Sequence, residues 1–323
     1  MLKLLLILVP FTIFSQTKIV FTSVDASNDE VRAQVFNENG NNRIDLGFSK
    51  TYLPVWFGDK ILYNSDTYIW ECDTTGENLK QREDGFRISV SHDQTKYAFY
   101  NNDGIGIADT SGKIINQVMV EAWPNVTITW SLDDSKISYY DIEKEKCFLF
   151  DLKNDSLITF GEWIYHPLWH KNQNKILYNK AAGEEEFDVV IQDSMDFSTA
   201  AIINKPGEMA VVPVWSDLGD KIAYLVIKKD SAVQVDSDML PSFLMLYNLN
   251  TKEHTMLADD AGFTDEAFPQ ISFDARDENI YYTAINENGL GEIKKINLLT
   301  REEFTLSDNP SIDDRFPQVK TFK

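Results

Sequence analysis

The sequence predicts an all-β protein built as a single closed ring of repeated units, and three observations carry this prediction. A motif of Lys, an apolar residue, any residue and an aromatic residue recurs about every 40 residues. A short apolar segment precedes most copies, and a third apolar segment ending in Asp or Asn follows each copy. Four short strands per repeat at this spacing are typical of the blades of a β-propeller.

The repeated motif predicts the second strand of each blade. Its copies begin at Lys18, Lys60, Lys96, Lys136, Lys175, Lys221 and Asn279, the last of which replaces the Lys. The segment before each copy predicts the first strand, as in Pro213–Trp215, and a polar turn such as Gly219-Asp-Lys joins the two strands into a hairpin.

The third strand of each unit is expected to end at an Asx residue. The seven predicted ends are Asn37, Asp73, Asp109, Asp151, Asp193, Asn248 and Asn297. Short Asx side chains bond to the backbone two residues further on and so favour a turn at this point. A fourth strand, such as Glu303–Leu306, then leads to the next unit.

Seven units predict seven four-stranded blades, closed by pairing of the two chain ends. The first motif, at Lys18, has no strand before it, and the last apolar segment, Pro317–Val319, has no hairpin partner after it. Pairing of these two strands would complete the last blade and leave no long exposed sheet edge. We therefore expect residues 17–323 to form a single β-propeller domain.

The hairpin sequence from Pro213 to Tyr224, Pro-x-Trp-Ser-x-x-Gly-Asp-Lys-Ile-Ala-Tyr, resembles the propeller repeat of the TolB and tricorn type. The resemblance covers nearly all of the chain after residue 16. It implies a β-propeller fold, and the same repeat serves translocation proteins, peptidase domains and some lyases. TolB carries an α/β domain before its propeller, whereas the first strand is expected here directly after the leader.

Residues 1–16 predict a cleaved secretory signal peptide. Lys3 provides the positive charge, and the apolar run from Leu4 to Phe14 is too short to span a bilayer. This leader predicts a periplasmic or secreted protein that is not an integral membrane protein.

Charge and cysteine content restrict the partners. The formal net charge is −21, which argues against nucleic acids and anionic lipid surfaces, because both would be repelled. Cys72 and Cys147 fall in the third strands of different, non-adjacent units. We expect them to be free, buried thiols, since a disulfide requires Cα atoms within about 7 Å.

The candidate binding residues precede the first strands of the blades, where a propeller chain enters its central channel. They comprise seven carboxylates and two tryptophans: Glu121, Glu162, Glu208, Asp265, Glu266, Asp313, Asp314, Trp123 and Trp163. Converging carboxylates would raise some pKa values, attract a cation or bind a basic peptide. Oxygen ligands alone would favour Ca²⁺ or Mg²⁺, although no dedicated metal motif is present and no cofactor is required.

Other tryptophans, histidines and one insertion are interpreted separately. Trp56, Trp130, Trp169 and Trp215 repeat with the blades, which favours packing between blades over a sugar-binding platform. His166 and His170 are four residues apart and would share a strand face as a metal pair. The insertion Lys228–Ser242 is a candidate specificity loop.

No catalytic motif is evident, and no Gly-x-Ser-x-Gly elbow occurs in the chain. The sequence therefore predicts a non-enzymatic, exported binding module for a protein or peptide partner, acting through an acidic channel face. The alternative is a carbohydrate-binding or carbohydrate-active protein with a divalent cation in the channel mouth.

Overall fold

The computed structural model of the protein describes residues 16–120, 127–141, 143–183, 186–194, 200–229, 239–265 and 270–322. These ranges hold β-strands joined by turns and irregular segments, and none of them contains a helix. The all-β prediction is confirmed. No helix suited to crossing a membrane occurs among these residues.

Five separate four-stranded antiparallel sheets form blades 1 to 5. Blade 1 joins the two chain ends, in the order β28 (Ile312–Phe322), β1 (Gln16–Asp25), β2 (Glu30–Asn37) and β3 (Ile44–Asp45). Blade 2 comprises β4 (Thr51–Phe57), β5 (Lys60–Ser65), β6 (Tyr68–Cys72) and β7 (Lys80–Asp84). Blade 3 comprises β8 (Phe86–Val90), β9 (Lys96–Asn101), β10 (Gly104–Asp109) and β11 (Ile114–Val118).

Blades 4 and 5 follow the same plan. Blade 4 comprises β12 (Thr129–Trp130), β13 (Lys136–Asp141), β14 (Lys146–Asp151) and β15 (Ser156–Glu162). Blade 5 comprises β16 (Ile164–Trp169), β17 (Lys175–Gly183), β18 (Glu186–Asp193) and β19 (Ala200–Ile202).

The next eight strands form one wide sheet, so the prediction of seven separate four-stranded blades is wrong in its count. The strands are β20 (Ala210–Trp215), β21 (Lys221–Ile227), β22 (Leu240–Asn248), β23 (His254–Phe263), β24 (Ile271–Phe273), β25 (Asn279–Ile285), β26 (Gly291–Asn297) and β27 (Glu303–Thr305). Strand β24 is short and pairs only with Ile280–Tyr282 of β25. Ala284 of β25 is therefore left to pair with Ala261 of β23, which joins the two predicted blades.

The first strands of the repeats contact one another in a closed ring, in the order β4, β8, β12, β16, β20, β24 and β28. Strand β28 pairs antiparallel with β1, from Gln16 opposite Phe322 to Asp25 opposite Ile312. The predicted single propeller, closed by the N- and C-terminal strands, is therefore confirmed. These inner strands surround a central channel.

The repeated motif forms the core between blades. Its apolar and aromatic positions are almost fully buried, for example Ile61 and Tyr63 in β5 and Ile222 and Tyr224 in β21. A strand that is covered by a neighbouring blade on each side must be apolar on both faces, which explains the continuous apolar runs.

The repeated tryptophans link neighbouring blades, as predicted for packing positions. The indole Nε1–H groups of Trp56, Trp130 and Trp215 each donate to a backbone carbonyl on the first strand of the preceding unit, at 3.0 Å in each case. Each indole thus buries a large apolar surface and satisfies its polar group at the same time.

A second link between blades lies in the turns that join the first and second strands. The Asp134 carboxylate accepts hydrogen bonds from the backbone N–H groups of His92 and Asp93 in the preceding turn, both at 2.9 Å. Asp277 accepts in the same way from residues 217–218, at 2.6 and 2.9 Å. These links fix the turns at one end of the channel.

The Asx turns are also confirmed after six of the seven third strands. Asn37, Asp73, Asp109, Asp151, Asn248 and Asn297 each accept hydrogen bonds from backbone N–H groups two to four residues further on. The two cysteines are free and buried, as expected.

Candidate functional site

A repeated β-bulge shapes the wall of the channel. The first strands of five repeats each carry a residue with φ between 48° and 61°, in the left-handed region that L-residues rarely adopt: Leu53, Arg87, His166, Val212 and Phe316. The pairing register of each strand shifts at or next to this residue. A bulge turns its side chain away from the alternation of a regular strand, so these residues can be aimed at the channel.

Polar side chains on the neighbouring repeat hold these bulges. The backbone N–H of Leu53 donates to Thr22 Oγ1 at 3.0 Å, and that of Val212 donates to Asn179 Oδ1 at 3.1 Å. The N–H of Phe316 donates to the hydroxyl of Thr283 at 3.2 Å. Because the freed N–H groups are satisfied, the strained conformations are retained in a buried position.

The first of two cavities along the channel, the mouth cavity, lies at the beginnings of the first strands. It has a volume of about 530 Å³ and is lined by Thr22, Val24, Val31, Tyr52, Leu53, Phe86, Arg87, Asp265, Arg315 and Phe316. Leu53 and Phe316 are buried and pack together with Tyr52 as a separate apolar cluster. The mouth cavity therefore combines an apolar wall with a few charged groups, as ligand sites commonly do.

The second cavity, the inner cavity, lies further along the same strands. It has a volume of about 370 Å³ and is lined by Val55, Trp56, Arg87, Ile88, Ser89, Val90, Thr127, Ile128, Thr129, Leu168, Ser272, Gln318 and Val319. Arg87 lines both cavities, so this residue stands where they meet.

A neutral histidine lies close to this junction. The Nδ1 atom of His166 is 2.7 Å from the hydroxyl of Thr127, which lines the inner cavity. Desolvation in the channel, and next the positive charge of Arg87, lower the pKa of His166 to about 4. His166 is therefore uncharged near pH 7, and the positive charge at this point belongs to Arg87.

Asp313 and Asp314 are buried and bound to arginines. Asp313 accepts two hydrogen bonds from Arg315, at 2.7 and 2.5 Å, and one from the backbone N–H of Gly291 at 2.8 Å. Asp314 is 1% exposed and accepts two hydrogen bonds from Arg43, at 2.9 and 2.7 Å. Two paired carboxylates of this kind do not crowd like charges together, contrary to the picture of an open acidic funnel.

The other described candidates are dispersed. Asp265 is exposed and lines the mouth cavity. Glu162 is exposed and pairs with Lys146 at 3.1 Å, and the Glu208 carboxylate accepts a hydrogen bond from the backbone N–H of Lys205 at 2.9 Å. Trp163 is 43% exposed and lines neither cavity. Of the candidates within the described ranges, only Asp265 lines the mouth cavity, and Asp313 is linked to it through Arg315.

Three candidates, Glu121, Trp123 and Glu266, lie outside the described residues, as do residues 1–15 of the predicted leader and residues 230–238 of the predicted specificity loop. Strand β1 begins at Gln16, the last residue of the predicted leader.

No group of three or more His, Cys, Asp or Glu side chains suited to a metal ion occurs within the described ranges. The bulge between Tyr165 and Leu168 breaks the alternation from which a His166–His170 pair was expected. His166 bonds to Thr127, whereas the Nδ1 atom of His170 accepts a hydrogen bond from Asn172 N–H at 3.0 Å.

The bulge residues were missed by sequence reasoning, although a signal was present. Four of the five directly precede a proline: Leu53-Pro, His166-Pro, Val212-Pro and Phe316-Pro. The supporting Thr22, Asn179 and Thr283 each come directly after the aromatic residue of the repeated motif. A small polar residue at that position of an otherwise apolar strand indicates a bonding role in the core.

No protein-family model and no curated protein matches the sequence of this chain. In fold, the chain is similar to the β-propeller domain of the Trilobed protease from Pyrococcus furiosus, with a TM-score of 0.64 and 15% identity over 90% of this chain and 92% of that chain. It is also similar to TolB from Acinetobacter baumannii, with a TM-score of 0.58 and 12% identity over 94% of this chain.

A puromycin-hydrolyzing peptidase from Mycobacterium tuberculosis gives a TM-score of 0.63 at 12% identity over 90% of this chain. The chain spans 66% of the TolB chain and 53% of the peptidase, less than two thirds of each. These likenesses confirm the predicted resemblance to TolB-type propellers at the level of the fold, and identities of this size show the fold alone.

Proposed function

We propose that this protein is a binding module that holds a peptide segment of a protein partner in the mouth cavity. The observation that carries the proposal is the apolar wall of this cavity, formed where bulges place Leu53 and Phe316 beside Tyr52. A TolB-like propeller supports a role in protein interaction in general. Export through the leader at residues 1–16 is part of the proposal.

The chemistry of the mouth cavity favours an apolar anchor residue in the bound segment. Val24 and Val31 extend the apolar wall towards the rim, and both are only partly buried. Anchors of this kind contribute most of the binding energy when they fill a desolvated pocket. Asp265, which is exposed at the same cavity, favours a basic residue next to the anchor.

The predicted acidic channel is thereby revised. Asp313 and Asp314 are occupied by Arg315 and Arg43 and do not offer their oxygens to a cation or to a basic ligand. The apolar wall, rather than a ring of carboxylates, supports the binding of a peptide.

Selection from a library of displayed random peptides tests this proposal with a defined probe. The protein without residues 1–15 is immobilised, and Val31→Trp, which fills the mouth cavity, serves as the counter-selection. Ile202→Trp is the matched control, because Ile202 is 62% exposed on the outer strand β19.

We expect peptides with an apolar anchor and a neighbouring basic residue, binding the parent protein and Ile202→Trp equally. Val31→Trp should weaken their binding by about tenfold or more, since an anchor contributes roughly 2 kcal/mol. Recovery of no peptide, or of peptides that bind Val31→Trp as well as the parent, would overturn the proposal.

A further inference from the structure

The inner cavity differs from the mouth cavity in its chemistry and has the size of a small-molecule site. Its volume of about 370 Å³ lies in the usual range for such sites, roughly 300–1,000 Å³. Val55, Ile88, Val90, Ile128 and Val319 give it a largely apolar wall. The space corresponds to about a dozen water volumes, at roughly 30 Å³ each.

Three hydroxyl groups in this wall are already used in bonds within the propeller. The Thr129 hydroxyl donates to the carbonyl of Pro167 at 2.6 Å, and the Ser272 hydroxyl accepts from the N–H of Val319 at 3.3 Å. The Thr127 hydroxyl bonds to His166.

The backbone carbonyls along the inner cavity are used in the same way. Those of Ser89, Leu168 and Gln318 accept the indole N–H groups of the repeated tryptophans. A ligand inside this cavity would therefore be bound mainly by burial of its apolar surface.

Charge enters the inner cavity at one point. Arg87 is the one charged side chain among the described lining residues, and it stands at the junction with the mouth cavity. A guanidinium group has five N–H donors and binds a carboxylate through two of them, so it can receive a ligand while it keeps other contacts. The neighbouring imidazole of His166 is neutral near pH 7 and adds no charge of its own.

We propose that the inner cavity binds a small amphiphilic monoanion, with its apolar body inside the cavity and its carboxylate on Arg87. This site shares Arg87 with the mouth cavity, but the body of its ligand lies in the inner cavity, and the proposal does not depend on the peptide site. The apolar wall selects the body of the ligand, and the arginine at the junction selects its charge and its orientation.

Isothermal titration with octanoate tests this site on the protein without residues 1–15. Acetate has the same head without the apolar body, and octylamine has a similar body with the opposite charge. We expect saturable binding of one octanoate per chain, and no measurable heat of binding from acetate or octylamine. Binding of octylamine as tight as that of octanoate, or no binding of octanoate, would overturn the proposal without recourse to any variant.

Two variants then locate the ligand. Arg87→Gln should weaken octanoate binding by about tenfold, because it removes a charge-assisted contact. Val90→Phe should abolish binding by filling the inner cavity, whereas Val31→Trp in the mouth cavity should leave it unchanged.

Retention of octanoate binding in a folded Val90→Phe protein would place the ligand elsewhere and contradict the assignment. Val31→Trp should weaken peptide binding and leave octanoate binding unchanged. The failure of the peptide proposal and the failure of this one are therefore distinguishable. Circular dichroism and the denaturation midpoint establish that each variant is folded.

Discussion

Asp134 shows how a single side chain joins two blades of the propeller. Its carboxylate accepts from the N–H groups of His92 and Asp93, and its own φ of 53° lies in the left-handed region. Gly219 occupies the equivalent position in the turn between β20 and β21, with a φ of 75°. The position thus requires an unusual backbone conformation, and an acidic side chain adds the link.

Asp134→Gly should keep the backbone conformation and lose the link. We expect the free energy of unfolding to fall by about 2 kcal/mol, because two backbone donors lose a charged acceptor. Asp134→Asn keeps one acceptor oxygen and should lower the free energy of unfolding by roughly half as much. Urea denaturation measures both changes, with Asp103→Asn at an exposed turn as the control that should stay within about 0.5 kcal/mol.

His166 should make stability depend on pH in a defined window. The pKa of His166 in the folded protein is about 4, below the unfolded value of about 6.5, so the unfolded chain binds more protons between these values. Stability should therefore fall as the pH drops from 6.5 towards 4, by at most about 1.4 kcal/mol per pH unit from this group.

Urea denaturation of the parent protein and of His166→Gln at several pH values isolates the contribution of His166. The difference between their unfolding free energies should change across this window and be constant above it. Parallel curves from pH 7 to pH 4.5 would show that His166 does not carry the effect.

At the scale of elements, the turns of β16–β17 and β20–β21 are joined by an ion pair between Lys171 and Asp217, at 2.7 Å, and Gly219 stands where other repeats carry the linking carboxylate. A Cβ atom on Gly219 would lie 1.9 Å from Nε2 of His170, a distance that no side chain can tolerate. His170 also packs edge-on against Trp215, with ring centroids 5.0 Å apart. The imidazole thus fills the space that the turn side chain occupies in other repeats.

Gly219→Ala should lower the unfolding free energy by about 2 to 4 kcal/mol, from the steric conflict with His170 and from the left-handed backbone. In a His170→Ala background the steric conflict is absent, so Gly219→Ala should lower the unfolding free energy by only about 1 kcal/mol, from backbone strain. A double-mutant cycle measures this coupling, and additive effects of the two substitutions would contradict the proposed contact.

Most elements of the fold could be predicted from the sequence, but the merger of two blades could not. Apolar and aromatic residues alternate with turn residues along the chain, so the hairpins, the Asx turns and the packing role of Trp130 and its equivalents were predictable from local pattern. The merger of two predicted blades was not, because it depends on how short β24 is and on which residue of β25 it leaves unpaired.

The site was less predictable than the fold for a similar reason. The carboxylates of Asp313 and Asp314 were recognised from their position before a strand. Their charge, however, is compensated by Arg315 and by Arg43, the latter 271 residues away in the chain. Non-local pairing of this kind decides whether a channel is acidic, and a sequence pattern does not reveal it.

At the scale of the whole molecule, the pairing of β1 with β28 closes the ring. Thr17 lies directly opposite Thr321, and their hydroxyl oxygens are 3.2 Å apart. A covalent link at this pair would join the two ends of almost the entire domain.

Thr17→Cys combined with Thr321→Cys should form a disulfide and raise the unfolding free energy by about 3 to 5 kcal/mol, because it restricts a very long loop in the unfolded chain. Burial raises the pKa of Cys72 to about 12 and also raises that of Cys147, so both native thiols should stay out of exchange. Denaturation with and without a reductant measures the gain, and an oxidised protein no more stable than the reduced one would count against closure at this pair.

The central claim, that the mouth cavity holds a peptide, is tested most directly by titrating one selected, fluorescently labelled peptide into three proteins. Fluorescence anisotropy should give the same affinity for the parent protein and for Val90→Phe, and an affinity about tenfold or more weaker for Val31→Trp. Equal affinities for all three proteins would contradict the claim, since they would place the peptide outside the channel altogether.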